Sequence, residues 1–241
     1  MHVERAPAKL TLSLRVTGVR SDGYHLIDAE MVTLDFADVL EFSEGDGLDV
    51  TGPFAAGVPT GDDNLVRRAL AATGRRAAVR LDKRVPAGAG LGGGSADAAA
   101  VLRWAGCLDA AVAARLGADV AFCVVGGRAR VSGVGEVVEP LAGVDRTFTL
   151  LVPPVHVDTA SVYRAWDALG GPPAPVGSVN DLEAAALAVA PALTAWRGRL
   201  ARASGRRPQL AGSGGSWFVE GDYPGEDRIV ARTVAAAIQG S

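Results

Sequence analysis

Several scarcities narrow the possibilities before any motif is read. Only two cysteines occur in 241 residues, Cys107 and Cys123, and the three histidines (His2, His25 and His156) lie far from them. Neither a disulfide framework nor a zinc-ligand spacing is present, so a reducing, cytoplasmic setting is expected. Long apolar runs are missing as well. The longest weakly polar stretch, Ala184 to Trp196, is thirteen residues and contains Pro191, too short for a bilayer. The first ten residues include Glu4, Arg5 and Lys9 and offer no apolar signal-peptide core. An excess of basic charge is absent: 24 Lys and Arg against 27 Asp and Glu leave a net charge of −3, which removes the electrostatic footprint of a general nucleic-acid binder. The expected partners are therefore small molecules, with no nucleic acid and no membrane, and the expected state is a monomer or homodimer. Lysine itself is nearly missing. Of the 24 basic residues only Lys9 and Lys83 are lysine. A compact, movable ammonium is not reproduced by the planar guanidinium fork, so both are candidate functional positions, with accidental surface lysines as the plain alternative.

Glycine, by contrast, is abundant at 31 residues and clustered, which points to sites built from backbone. Leu10, Leu12, Leu14 and Val16 alternate with polar residues and predict a half-buried strand. After a turn at Gly18–Gly23, a second strand changes its apolar face near Met31 and Val32, as a bulge allows, and a short third strand covers Val39 to Phe42. A helix is expected from Asn64 to about Thr73, capped by Asp62 or Asp63 and ended by Gly74. Strand Ala77–Leu81, helices Asp97–Trp104 and Leu108–Leu116, and strands Arg128–Val131 and Phe148–Val152 follow. The second part reads as a helix at Thr159–Leu169, then Asn180 and Glu183 at capping-box spacing before a long helix that Pro191 kinks or splits. A strand pair flanks Gly212–Gly215, and a closing helix spans Arg228–Ile238. Strands and helices without regular alternation predict an α+β fold, divided near residue 150 into domains 1–150 and 151–241.

The densest signal is the loop from Pro86 through Gly88, Gly90, Leu91, Gly92, Gly93 and Gly94 to Ser95, feeding the alanine-rich helix. Consecutive backbone N–H donors at a helix N-terminus favour a phosphate. No lysine precedes Ser95, so a P-loop is excluded. A dinucleotide fold requires a strand running straight into the glycines and an acidic residue about twenty positions on; here Asp82–Ala87 intervenes, and Asp109 is the nearest late acid. A tight ligand-free connection is the remaining alternative.

The stretch Pro86-xxx-Gly-Leu-Gly-Gly-Gly-Ser95 resembles the phosphate loop of the GHMP kinases. Pro7-Ala-Lys9, Asp22-Gly-Tyr-His25, Leu116-Gly-Ala-Asp-Val120, Asn180-Asp-Leu-Glu183 and Gly212-Ser-Gly214 narrow the resemblance to the branch that acts on a cytidyl diphosphate alcohol in the non-mevalonate isoprenoid route. It runs from about residue 6 to 220. It implies a two-domain fold, ribosomal-protein-S5-like then ferredoxin-like, and ATP with Mg²⁺. It also implies roles. Asp119, set among apolar neighbours that would raise its proton affinity, matches the general base, though a helix cap is its plain alternative. Lys9 matches the assisting lysine. Asn64 and Lys83 match positions near adenine and ribose, and Ser95 the metal or β-phosphate, with helix cap, solvated lysine and N-cap as the alternatives. His25 matches the residue bonding the cytosine edge, with Tyr24 and Tyr163 stacking on the ring from either side. Asp181 and Gly212, Ser213 and Gly214 match a wall closing over the substrate. No metal ligand is named.

Three departures stand out. Thr11 occupies the place of an asparagine, Ala96 that of a second serine, and the stretch from Trp104 to Leu116 is several residues short. The short stretch and Thr11 motivate a second expectation, a silent or weak nucleotide-binding relative. A kinase of some other small alcohol is the third, opposed by Tyr24 and His25.

Overall fold

The computed structural model describes residues 1–234. In chain order the first part comprises β1 (His2–Val19), β2 (His25–Ser43), β3 (Gly47–Thr51), α1 (Leu65–Thr73), β4 (Ala78–Asp82), α2 (Gly93–Trp104), α3 (Ala110–Leu116), α4 (Val120–Val125), β5 (Arg128–Gly133) and β6 (Val137–Pro140). The second comprises β7 (Thr147–Leu151), α5 (Thr159–Ala168), α6 (Glu183–Val189), α7 (Leu193–Ser204), β8 (Gln209–Leu210), β9 (Trp217–Glu220) and β10 (Arg228–Arg232). One sheet runs β3-β4-β2-β5-β6 with β1 also paired to β2, and the other runs β10-β7-β9-β8. The architecture is α+β, as expected.

β2 is one long strand, and the separate strand expected at Val39–Phe42 is its continuation. No bulge is needed at Met31 and Val32, because β2 is buried on both faces there. Ile27, Ala29 and Met31 pack under the helices, whereas Val32 and Leu34 pack toward the second sheet with Phe148, Leu150 and Phe218. The pairing with β1 is nonetheless irregular, once beside Met31 and more widely further on. Pairing jumps from Lys9↔Thr33 to Pro7↔Ala37, so Ala8 alone stands opposite Leu34, Asp35 and Phe36. A second shift falls between Thr11 and Ser13. As a result Ala8, Leu10 and Leu12 join the core between the sheets, while Ala6 and Leu14 join the core under the helices. Between the two shifts the strand is reversed, and the alternate residues Lys9 and Thr11 face the helical side.

Every residue of α2 from Ala96 to Leu102 is buried, as a helix apolar on all sides must be. Its alanines let it lie close to α1, β1 and α4. α1 is capped by Asn64, whose Oδ1 accepts from Val66 N at 2.8 Å, not by Asp62 or Asp63. The Asn180–Glu183 capping box does not form either. Asn180 Oδ1 accepts from Leu182 N, and the buried Glu183 carboxylate reaches Arg197 instead. Pro191 does split the helical stretch into α6 and α7. The expected closing helix is replaced at Arg228–Arg232 by β10, antiparallel to β7. β-branched Ile229 and Val230 and the free edge of β7 outweigh a helical spacing there; residues 235–238 of that expectation lie outside the described residues.

Candidate active site

Two cavities flank Lys9. The larger, of about 790 Å³, is bordered by Lys9, Thr11, Tyr24, His25, Asp119 and Tyr163, with Gly212 and Ser213 at one wall. The smaller, of about 410 Å³, is formed by Pro86, Gly88, Gly90, Gly92, Gly93, Gly94 and Ser95 together with Asn64 and Lys83. Leu91 is the loop residue that turns away. Its side chain is in the core, and its carbonyl accepts from Lys9 N at 2.9 Å, fastening the loop to β1.

α2 starts at Gly93 with Gly92 at the N-cap, φ 70°, and no side chain capping it. Ser95 is therefore not the cap. The amides of Gly93, Gly94 and Ser95 lie in the first turn, where no intrahelical acceptor exists, and they border the smaller cavity. Donors of this kind suit phosphate oxygens. A side chain at Gly92 is forbidden on a second ground: its Cβ would stand 2.6 Å from Lys9 Cγ. The lysine stem thus crosses the glycine loop in contact with it.

Past the loop, Lys9 Nζ donates to Thr11 Oγ1 at 3.0 Å and lies 3.1 Å from Asp119 Oδ2. Asp119 occupies the N-cap position of α4 but makes no capping bond, which leaves its carboxylate to the lysine. Asp119 is partly buried, as its apolar neighbours lead one to expect. Its side chain is 31% exposed, facing the larger cavity, against 5% for Lys9, and its dominant neighbour is the ammonium. Below it, burial pushes the Cys123 thiol up to about 12, so this cysteine is a packing residue and not a nucleophile.

His25 also lines the larger cavity, and its Nε2 lies 2.8 Å from Asp167 Oδ1. The Tyr163 ring lies tilted against His25 itself, centroids 4.7 Å apart at 32°, and burial holds its hydroxyl well above the ordinary tyrosine value. Tyr24 is 64% exposed at the rim. The slot expected between Tyr24 and Tyr163 is therefore filled by the imidazole from one side. Asp181 is not brought to the cavity. Arg15, Val16 N and Ala174 N, at 2.8 to 2.9 Å, engage its two oxygens, so it pins β1 to the 170s loop. Asn64 and Lys83 do border the nucleotide-sized cavity, yet both are already engaged. Asn64 caps α1 and donates to Pro59 O. Lys83 is buried between Asp97, at 2.8 Å, and Asp38, neither of which a sequence reading singles out.

The second glycine turn meets the first. A Cβ on Gly90, where φ is 74°, would lie 2.7 Å from Gly214 O and 2.9 Å from Ala211 O. His156, also missed, packs against Gly88, whose Cβ would lie 3.3 Å from its Nδ1. Asn180 Nδ2 holds the second turn by donating to Leu210 O and Gly212 O. Gly90→Ala is expected to lower the melting temperature by several degrees and kcat/KM by about tenfold, since left-handed strain of about 1–2 kcal/mol is joined by a backbone clash. Gly106→Ala is the control. Its φ is 71° and no atom lies within 4 Å of the added Cβ, so melts and rates of the two variants separate clash from strain. Equal effects would rule out the contact between the turns as the cause.

Among the described residues, no group of three or more His, Cys, Asp or Glu side chains is arranged to hold a metal ion, and no helix is long and apolar enough to cross a membrane. Residues 64–127, which span α1, the glycine loop and Asp119, match the model for the GHMP kinases N terminal domain. The 4-diphosphocytidyl-2-C-methyl-D-erythritol kinase of Paracoccus denitrificans is 41% identical, covering 89% of this chain and 85% of that one. The enzyme of the same name from Cereibacter sphaeroides is 42% identical, covering 88% and 87%. A crystal structure of 4-(cytidine 5'-diphospho)-2C-methyl-D-erythritol kinase superposes with a TM-score of 0.74 at 37% identity, covering 92% of this chain and 91% of that one. Motif, fold and likeness along nearly the whole length agree, and the chain belongs to the 4-diphosphocytidyl-2-C-methyl-D-erythritol kinase family of the GHMP kinases.

Proposed function

We propose that this kinase transfers the γ-phosphoryl group of ATP to the 2-hydroxyl of 4-diphosphocytidyl-2-C-methyl-D-erythritol. The observation that carries the reading is the path of Lys9. Its stem touches the glycine loop at Gly92, and its ammonium ends 3.1 Å from Asp119. A donor phosphate on the loop and an acceptor hydroxyl at Asp119 would share one cation. Phosphoryl transfer asks mainly for such positioning and charge neutralisation.

In this reading the triphosphate lies on the amides of Gly93, Gly94 and Ser95. Asp119 takes the hydroxyl proton as the oxygen attacks, and Lys9, 3.1 Å from that carboxylate, orients it and draws the transferring group toward it. Thr11 Oγ1, accepting from Lys9, orients the ammonium in place of the family's asparagine. Mg²⁺ would enter with the nucleotide and neutralise phosphate charge; it needs only one or two protein ligands beside phosphate oxygens, and Ser95 Oγ at the loop fits that part. Cytosine would enter against His25, whose Nδ1 is free to accept when Nε2–H is given to Asp167, and would meet the exposed Tyr24 ring, while Tyr163 backs the imidazole. The larger cavity is of a size for such a ligand. In this reading the two domains divide just ahead of β7, a little before the expected 150, and the pairing of Thr147–Leu151 in the second sheet supports that. The two free thiols accord with a cytoplasmic setting.

The test is ADP release with ATP, Mg²⁺ and the cytidyl substrate, beside small alcohols such as homoserine or mevalonate. Turnover on the cytidyl substrate alone supports the reading, and turnover only on another alcohol sinks it. ATP binding without turnover would instead establish the silent relative, which the intact Lys9–Asp119 pair argues against. His25→Ala is expected to raise KM for the cytidyl substrate about tenfold with KM for ATP unchanged; an unchanged cytidyl KM would remove His25 from the base site.

A further inference from the structure

Four basic side chains border the larger cavity: Lys9, His25, Arg115 and Arg164. Three acidic ones do so as well, Asp119, Asp158 and Asp167. The acids are matched one to one. Lys9 faces Asp119 at 3.1 Å, His25 faces Asp167 at 2.8 Å, and Arg164 lies 3.7 Å from Asp158. Arg115 is left over. It is exposed, in the last turn of α3, and among the described residues its guanidinium has no carboxylate within ion-pair distance and no hydrogen-bond acceptor.

Its position in the chain gives that surplus charge a direction. Arg115 stands four residues before Asp119 and, with Gly117 and Ala118, lines the same cavity. The aromatic end of the same cavity is made by His25 and Tyr163. A ligand with its base at that end and its hydroxyl at Asp119 must carry whatever links them through the space between. For a nucleoside diphosphate alcohol the link is a diphosphate, two anionic groups in need of a cation that is not already neutralised. The guanidinium fork is suited to bind such oxygens in pairs.

We infer that Arg115 binds the diphosphate bridge of the acceptor and so selects a nucleoside diphosphate alcohol over an uncharged nucleoside or a bare small alcohol. The inference deepens the reading of the larger cavity given above and rests on it. Its plain competitor is a surface arginine that only complements the C-terminal end of α3. Such a residue would affect stability and leave ligand preference alone.

The two are told apart by the phosphate increment, the ratio of Kd for cytidine to Kd for cytidine 5'-diphosphate, measured by titration on the full chain. In the wild type the diphosphate is expected to bind at least tenfold more tightly than the nucleoside. In Arg115→Ala the ratio is expected to fall to about threefold or less, with Kd for cytidine within twofold of wild type and KM for ATP unchanged. Arg115→Lys, which keeps the charge, should retain most of the ratio. A ratio that survives Arg115→Ala overturns the inference and leaves the cytidyl reading standing. Wild-type protein that binds neither compound overturns both.

Discussion

Asp119→Asn is expected to lower kcat by roughly 10²- to 10⁴-fold, the range of a lost general base, with KM for ATP close to wild type. The amide has nearly the same shape and can still accept a bond from Lys9 Nζ, now 3.1 Å from the carboxylate, but it cannot take up the hydroxyl proton. The nucleotide side is untouched, because the loop amides and Leu91 carbonyl are set by α2 and β1 and not by Asp119. Lys9→Ala should lose as much or more, since in the proposed mechanism the same ammonium serves both Asp119 and the transferring group, and combining the two changes should cost far less than the sum of their separate losses. The measurement is initial-rate ADP release, with each variant's ATP affinity determined separately. A fall of less than tenfold in Asp119→Asn would show that deprotonation is carried elsewhere, and fully additive losses would show that the two residues do not act as a unit.

What could be read from the sequence follows how local each feature is. The glycine loop and the Asp22–His25 turn are short segments whose chemistry is contained in consecutive residues, and their positions follow the expectation, whereas α2 starts at Gly93, four residues ahead of the expected Asp97. Lys9 stood out because only one other lysine exists. Its orientation could not be foreseen. Leu10, Leu12 and Leu14 read as one face of one strand, but a register shift divides them between two cores, and a shift is a property of the pairing with β2. Asp181 looked like a cavity residue because it sits beside Asn180 in a family segment; its partners Arg15 and Val16 lie more than 160 positions away. Asp38 and Asp97 carry no local mark at all, since an acid on an apolar strand or helix reveals its partner only once both are buried. Arg115 escaped notice among 22 arginines, where one cation without a counter-ion becomes visible only when the cavity's charges are paired off.

Lys83→Met is expected to lower stability by about 3–5 kcal/mol at neutral pH, the cost of stripping the partner from a buried charge. For a chain of this size that corresponds to a fall in melting temperature of about 10 °C. Lys83 is 2% exposed and binds Asp38 and Asp97, themselves 0% and 3% exposed. Asp38 also accepts from Val85 N at 2.7 Å, so the cluster ties β2, the start of the glycine loop and α2 together beneath the nucleotide cavity. One ammonium cannot neutralise two buried carboxylates. Burial pushes Asp97 up to about 7 from 3.8, with Lys83 pulling it back and Asp38 adding to the rise, and Asp97 Oδ1 has no hydrogen-bond partner. Lys83 itself, although burial opposes its charge, is held above the usual lysine value by Asp97 and Asp38, and so stays charged throughout. An acid whose folded pKa is raised favours the fold below its unfolded value and loses that contribution as pH climbs through the folded one; here the window runs from about pH 4 to about pH 7. Without the lysine, the rise becomes larger and the ionised cluster more costly. The stability deficit of Lys83→Met should therefore be wider at pH 8 than at pH 5 in paired thermal melts. Asp97→Asn, which removes one buried charge and keeps an acceptor, should lose less and flatten the wild-type slope across the same window. If Lys83→Met melts within 2 °C of wild type at both pH values and only ATP affinity drops, the lysine is a nucleotide contact and the buried cluster is not what supports the loop.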